Sequence, residues 1–296
     1  MRSNNYKSVL KHAGLAATVL LLASGAAFGQ VSLTAGPTTA TLPDGAAVPM
    51  WGYTCGAAVT GNIGTCTALN PAVQAGTAPA GTWSPVVITV PTGQNLTINL
   101  TNSLTFAGGS IPTSLVIVGQ LGGGLGTGAT STASPDHTNA QPLTWPIAGD
   151  AAGTPVTGVG TPPVQGTRVQ SFSTEVPAGA TVVSLTWTAP RPGTYLIESG
   201  THPSIQGPMG LYGILVVTDT TTTPATAYPA VGTTAAVTYN ADIPLLLSEI
   251  DPVQNAAVQA AVGKTGFSET KVWSGLYGGC GNPLNADGTS NSTYQT

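Results

Sequence analysis

Three side chains that carry metal-donor atoms stand close together in the stretch Pro190–Val217, PRPGTYLIESGTHPSIQGPMGLYGILVV: Glu198, His202 and Met209. A carboxylate, an imidazole and a thioether can each ligate a metal, and no other part of the chain is as dense in such groups. One imidazole without a second is a thin donor set, however. The competing reading makes His202 a locally hydrogen-bonded loop residue and Met209 a core side chain. His137, in Pro135-Asp136-His137-Thr138, reads as a solvent-exposed loop residue within reach of His202 through a long insertion. Other chemistries lack their residues. There is no G-x-S-x-G elbow, no H-E-x-x-H helix and no phosphate-cradling loop that opens a helix. Glu249 and Asp251 share a strand face and read as rim residues rather than an acid–base pair. No catalytic residue is assigned.

The elements that would hold this stretch are strands. Thr194–Ile197 and Leu211–Val217 have the β-branched, aromatic and aliphatic content of strands, with a glycine- and proline-marked loop between them. Upstream, Val86–Val90 and Asn95–Thr101 form the cleanest pair: Leu96, Ile98 and Leu100 point one way and Asn95, Thr97 and Asn99 the other. Thr113–Val118, Arg168–Glu175 and Thr181–Thr188 complete the set, and residues 31–54 alternate weakly. Residues 119–165 form a long surface insertion, in which Gly122-Gly123-Gly124-Leu125-Gly126 reads as flexibility. Residues 221–238 have a linker's composition. Beyond it, Asp242–Asp251 reads as a buried strand and Pro252–Val262 as a helix, with Gly263 as its stop.

Composition points the same way. The 39 glycines and 24 prolines favour turns and short strands, and only 6% of residues are charged, against roughly 25% in ordinary soluble domains. Arg2, Lys7 and Lys11 precede the apolar run Gly14–Ala23 and small residues up to Gly29. That is the pattern of a secretory signal peptide over residues 1–29, too short in its apolar core to span a bilayer. Its removal leaves Arg168, Arg191, Lys264 and Lys271 against eleven acids. Nothing basic then remains for nucleic acid or an anionic membrane. An exported protein, periplasmic or extracellular, is expected. In that oxidising setting Cys55 and Cys66 read as a disulfide, with metal ligation the alternative, and Cys280 is left without a partner.

The order VVITVPTGQNLTINLTN, PTSLVIVGQ, APRPGTYLIESGTH and GPMGLYGILVV resembles the N-terminal cupredoxin (plastocyanin-like) domain of multicopper oxidases, in particular the large bacterial manganese-oxidising type. The likeness covers residues 40–251 and is most specific near 190–217. It implies an all-β, cupredoxin-like Greek-key β-sandwich over residues 30–220, with a short strand-plus-helix extension. Residues 239–296 would begin a second, incomplete cupredoxin-type domain. The family's copper ligands do not carry over. One H-x-H pair falls on Val116 and Val118, and the other on Glu198 and Gly200. Neither valine nor glycine can replace an imidazole, and no Cys-x-His element provides a blue-copper site.

The expectation is therefore a cupredoxin domain without copper of its own, a structural or interaction module whose partners are further cupredoxin domains in cis or trans. It would have no autonomous enzyme activity. The alternative is a fragment or subunit of an oxidase that performs copper-dependent oxidation of metal ions or phenolics, with its copper sites in other sequence or on a partner chain.

Overall fold

Alternation in Leu96-Thr97-Ile98-Asn99-Leu100 buries every second side chain completely and leaves the intervening residues half-exposed. A strand with one face in a core and one in water produces that pattern. The computed structural model describes residues 29–59, 61–132, 167–179, 181–219, 225–228 and 230–263. Residues 1–28 of the expected signal peptide (1–29), His137 and Cys280 lie outside that set.

The described chain begins with two long strands, β1 (Gly29–Thr41) and β2 (Ala47–Cys55), paired antiparallel. Next come β3 (Thr65–Ala68), the short helix α1 (Pro71–Gln74), β4 (Val86–Pro91) and β5 (Leu96–Asn102). Short pairs follow: β6 (Thr105–Phe106) with β7 (Gly109–Ser110), then β8 (Val116–Ile117), and β9 (Thr130–Thr132) with β10 (Arg168–Ser171). The sandwich closes with β11 (Val182–Trp187), β12 (Gly193–Glu198), helix α2 (Pro203–Gln206) and β13 (Tyr212–Thr218).

Nine of these strands form two sheets, ordered β11-β5-β1-β2 and β3-β4-β13-β12-β8, while β6–β7 and β9–β10 are two-stranded sheets of their own. Each contains one parallel pair, β1 with β5 and β4 with β13, among antiparallel neighbours. Parallel neighbours cannot be joined by a tight hairpin, so the chain crosses between sheets and generates the Greek-key sandwich expected from the sequence. Leu33, Ile98, Leu100 and Trp187 from the first sheet meet Ile88, Val90, Ile197 and Leu215 from the second in one core. Burial of each such side chain stabilises the fold by about 1.5–3 kcal/mol.

Four local expectations change. The weak alternation over residues 31–54 conceals the long hairpin β1–β2, because a buried Ala35 and a half-exposed Gly36 dilute the hydrophobic signal. The glycine run after β8 is a packing device. A Cβ on Gly123 would stand 2.2 Å from the Trp187 ring, and its φ of +60° also favours glycine. The linker composition of residues 221–238 includes part of a two-stranded ribbon, β14 (Ala225–Tyr228) with β15 (Val237–Tyr239). The strand expected over residues 242–251 does not form: residues 241–250 have neither turn nor bend and pair with no sheet.

The expected helix does form, as α3 (Pro252–Ala261), and Asp251 caps it by accepting from the N–H groups of Val253 and Gln254, both at 2.9 Å. It lies on the sandwich itself. Asn255 donates to the Pro49 carbonyl at 3.0 Å, and Val258 is fully buried in the main core. No helix among the described residues is long and apolar enough to cross a membrane.

Cys55 at the end of β2 and Cys66 in β3 are joined in a disulfide, their Cα atoms 5.7 Å apart. The bond ties one sheet to the edge of the other. Replacing both by serine should lower the unfolding free energy by about 2–4 kcal/mol in a urea titration. An unchanged midpoint and slope would show that the sheets need no covalent tie.

Candidate functional site

Glu198 ends β12, opposite Val116 of β8 on one side and Tyr212 of β13 on the other. Its neighbour Ile197 points into the core, so pleating turns Glu198 to the outer face of the second sheet. It is half-buried there, and desolvation raises the carboxyl pKa above its ordinary value of 4.5. The protonated form is favoured by the fold, so this contribution to stability is greatest below the ordinary value and is lost as pH rises through the raised one.

Met209 is completely buried in the main hydrophobic core. It is held by its backbone: its N–H donates to the Ile205 carbonyl at 3.0 Å, and its carbonyl accepts from Trp51 at 2.7 Å. His202 sits just before α2 in the left-handed region, φ 39° and ψ 57°. Its backbone N–H donates to the Gln170 carbonyl, and its carbonyl accepts from Ile205 and Gln206. The three donors are thus distributed between a sheet's outer face, a loop and the core. No cluster of three His, Cys, Asp or Glu capable of holding a metal occurs among the described residues.

Three of the four positions that resemblance assigns to imidazoles, Val116, Glu198 and Gly200, are nevertheless close in space. Val116 faces Glu198 directly across the β8–β12 ladder, and a Cβ built on Gly200 would stand 2.6 Å from a Val116 methyl and 3.1 Å from the Ser114 hydroxyl. The valine fills the room that the glycine leaves. An imidazole at 200 therefore requires Val116 to move. Valine, glycine and one carboxylate do not fit a copper cluster, which needs imidazole nitrogens.

Behind this pair lies a buried polar network that the sequence reading missed. The side chains of Thr113, Ser114, Ser171, Ser199, Thr201 and Gln206 are at most 2% exposed. Ser114 Oγ accepts from Ser171 at 3.2 Å and from Thr201 at 3.0 Å. Thr113 and Ser199 donate to Gln206 Oε1 at 2.7 and 2.6 Å, and Gln206 Nε2 donates to the Pro112 carbonyl at 2.8 Å. Ser171 Oγ also lies 2.8 Å from the Ser173 carbonyl, an alternative acceptor for its single hydroxyl proton, and Tyr53 Oη donates to the Ser114 carbonyl at 3.1 Å. Burial pushes the Tyr53 phenol far above its ordinary value, and the Glu198 charge adds to the shift, so it stays neutral and a donor. The signal available in sequence was the recurrence of hydroxyls in Thr113-Ser114, Ser171-Phe172-Ser173 and Ser199-Gly200-Thr201. Such residues are ordinary in loops, and nothing local shows that these face one another.

A separate cavity of about 450 Å³ opens beside the disulfide, between β2, β3 and the loop after α1. Its walls include Thr38, Thr67, Gln74 and Pro79 and no charged side chain, and Glu198, His202 and Met209 take no part in it.

No protein-family model and no curated protein matches the chain. Solved structures to which it is similar include copper enzymes. A multicopper oxidase from Pseudomonas thermotolerans is 15% identical, with 69% of this chain and 32% of that chain covered and a TM-score of 0.39. A copper nitrite reductase from Nitrosomonas europaea is 15% identical over 64% of this chain and 40% of that one, with a TM-score of 0.32. Fet3p, a multicopper oxidase that functions in iron import, is 16% identical over 66% and 24%, with a TM-score of 0.33. The chain thus spans 24–40% of the length of these three proteins. Likeness of this degree carries no argument about chemistry, and the fold stands on its own two sheets.

The interlock of Val116 with Gly200 has a direct test. Gly200→Ala should destabilise the protein by about 1–3 kcal/mol through overpacking, and Val116→Ala in the same chain should recover part of that loss. Additive effects in the double-mutant cycle would mean that the two side chains do not share the space.

Proposed function

We propose that this chain is an exported cupredoxin-type domain that serves as scaffold and interaction surface and performs no copper chemistry itself. One observation carries the reading. Where the resemblance calls for imidazoles, Val116 and Gly200 interlock, and the oxygens immediately behind them are committed to hydrogen bonds with one another. A metal would have to displace both a methyl group and a satisfied network. Export rests on the basic, apolar and small-residue order of residues 1–29.

The partners on this reading are further cupredoxin domains, in cis or in trans. Support comes from the extension, where Ile243, Leu245 and Leu247 present apolar side chains to solvent. In the alternative reading, a fragment or subunit of an oxidase, copper would lie in other domains and this chain would supply only framework.

Copper content of the purified chain after incubation with copper(II) and desalting tests the reading. The expected result is copper well below one ion per chain and no thiolate-to-copper visible band. Stoichiometric copper with a strong visible band would contradict it.

A further inference from the structure

The cavity beside the disulfide lies where an edge strand of each sheet comes to its wall, β2 from one and β3 from the other. Neighbouring residues of an edge strand point their peptide groups in opposite directions, one toward the sheet and the next away from it. In β2 the even-numbered residues face β1: Gly56, in the same phase just beyond the strand, donates to the Ser32 carbonyl at 2.8 Å. The odd-numbered residues face away. Trp51 accordingly donates to the Met209 carbonyl at 2.7 Å, and the Pro49 carbonyl accepts from Asn255 at 3.0 Å. Tyr53 and Cys55 share this outward phase, yet their backbone groups have no hydrogen-bond partner among the described residues. β3 repeats the pattern. Leu69 donates to the Pro85 carbonyl at 2.8 Å, so Thr65 and Thr67 face β4 while Cys66 and Ala68 face away. These two are likewise without a backbone partner among the described residues. All four outward residues line the cavity.

We propose that this cavity binds a short, uncharged peptide in extended form, held by the free backbone groups of the two strand edges. The site goes beyond the scaffold reading and does not depend on it. Tyr53 and Cys55 offer N–H and C=O groups two residues apart, about 6.6–6.8 Å along the strand. An extended peptide presents its own groups at that spacing, which is the basis of recognition by strand addition. The volume of about 450 Å³ suits a small ligand of a few residues rather than a folded partner. With no charged side chain in the walls, a buried carboxylate or ammonium would have nothing to compensate its lost hydration. Val73 and Ala78 add small apolar surface suited to small side chains. A sugar fits less well, because the one aromatic residue of the wall, Tyr53, directs its ring into the main core.

Titration of the purified chain with N-acetyl-trialanine amide, followed by amide NMR, tests the assignment. Saturable shifts are expected at the four outward residues, with amide exchange slowed at Tyr53 and Ala68 and unchanged at Trp51 and Leu69, which are already bonded within the fold. Unblocked trialanine, with both termini charged, should bind at least tenfold more weakly. Ala78→Trp, which fills the cavity, should abolish binding and leave the urea midpoint in place. Ala68→Pro removes one outward N–H that the pairing with β4 does not use, and should weaken binding several-fold. No saturable shift at any of the four, equal affinity for the blocked and charged peptides, or binding that survives Ala78→Trp would each overturn the proposal. So would the same shifts produced by trehalose and not by the peptide. Copper content does not enter these measurements, so failure here leaves the scaffold reading to its own test.

Discussion

Six side chains at one end of the sandwich, Thr113, Ser114, Ser171, Ser199, Thr201 and Gln206, are shut away from water, and each must find its hydrogen-bond partner inside the protein. A buried hydroxyl left alone costs about 1–3 kcal/mol, so the arrangement is stable only if it is complete. Completeness is what joins the pieces. Ser171 belongs to β10, whose sheet has only two strands, and its contacts with Ser114 and Thr201 fix that ribbon to the larger sheet. Gln206 does the same for the short helix α2, through Thr113, Ser199 and the Pro112 carbonyl.

The same constraint governs the chemistry. Oxygens engaged with one another are poor ligands, and the neighbouring positions hold a valine methyl and a glycine. Glu198 lies on the outer face of β12 beside this corner, and its charge adds to the upward shift of the Tyr53 phenol. Burial raises the Glu198 pKa and holds the Tyr53 phenol neutral.

Much of the fold was legible because the core strands have clean patterns. Leu96, Ile98 and Leu100 alternate strictly, and Leu211–Val217 is continuously apolar because β13 lies between two neighbours in its sheet. Less was legible where tertiary contacts decide. The long β1 contains alanine, glycine and proline that hide its period, while Gly122 and Gly123 look flexible in sequence and are ordered by Trp187. The segment after Asn240 shows the converse: Ile243 and Leu245–Leu247 read as a buried strand by composition, yet burial needs a partner surface, and none is present among the described residues. At the site, the lack of imidazoles at 116, 118, 198 and 200, where the resemblance expects them, was visible from residue identity alone. The hydroxyl network behind them was not, because its members come from four separate segments.

Hydrogen bonds within the protein satisfy the polar corner without a metal. Equilibrium urea denaturation with excess copper(II), and again with a chelator, tests it, because a ligand that binds only the folded state raises stability in proportion to the logarithm of its concentration. Superimposable curves are expected. A midpoint that rises with copper and falls back with chelator would contradict it.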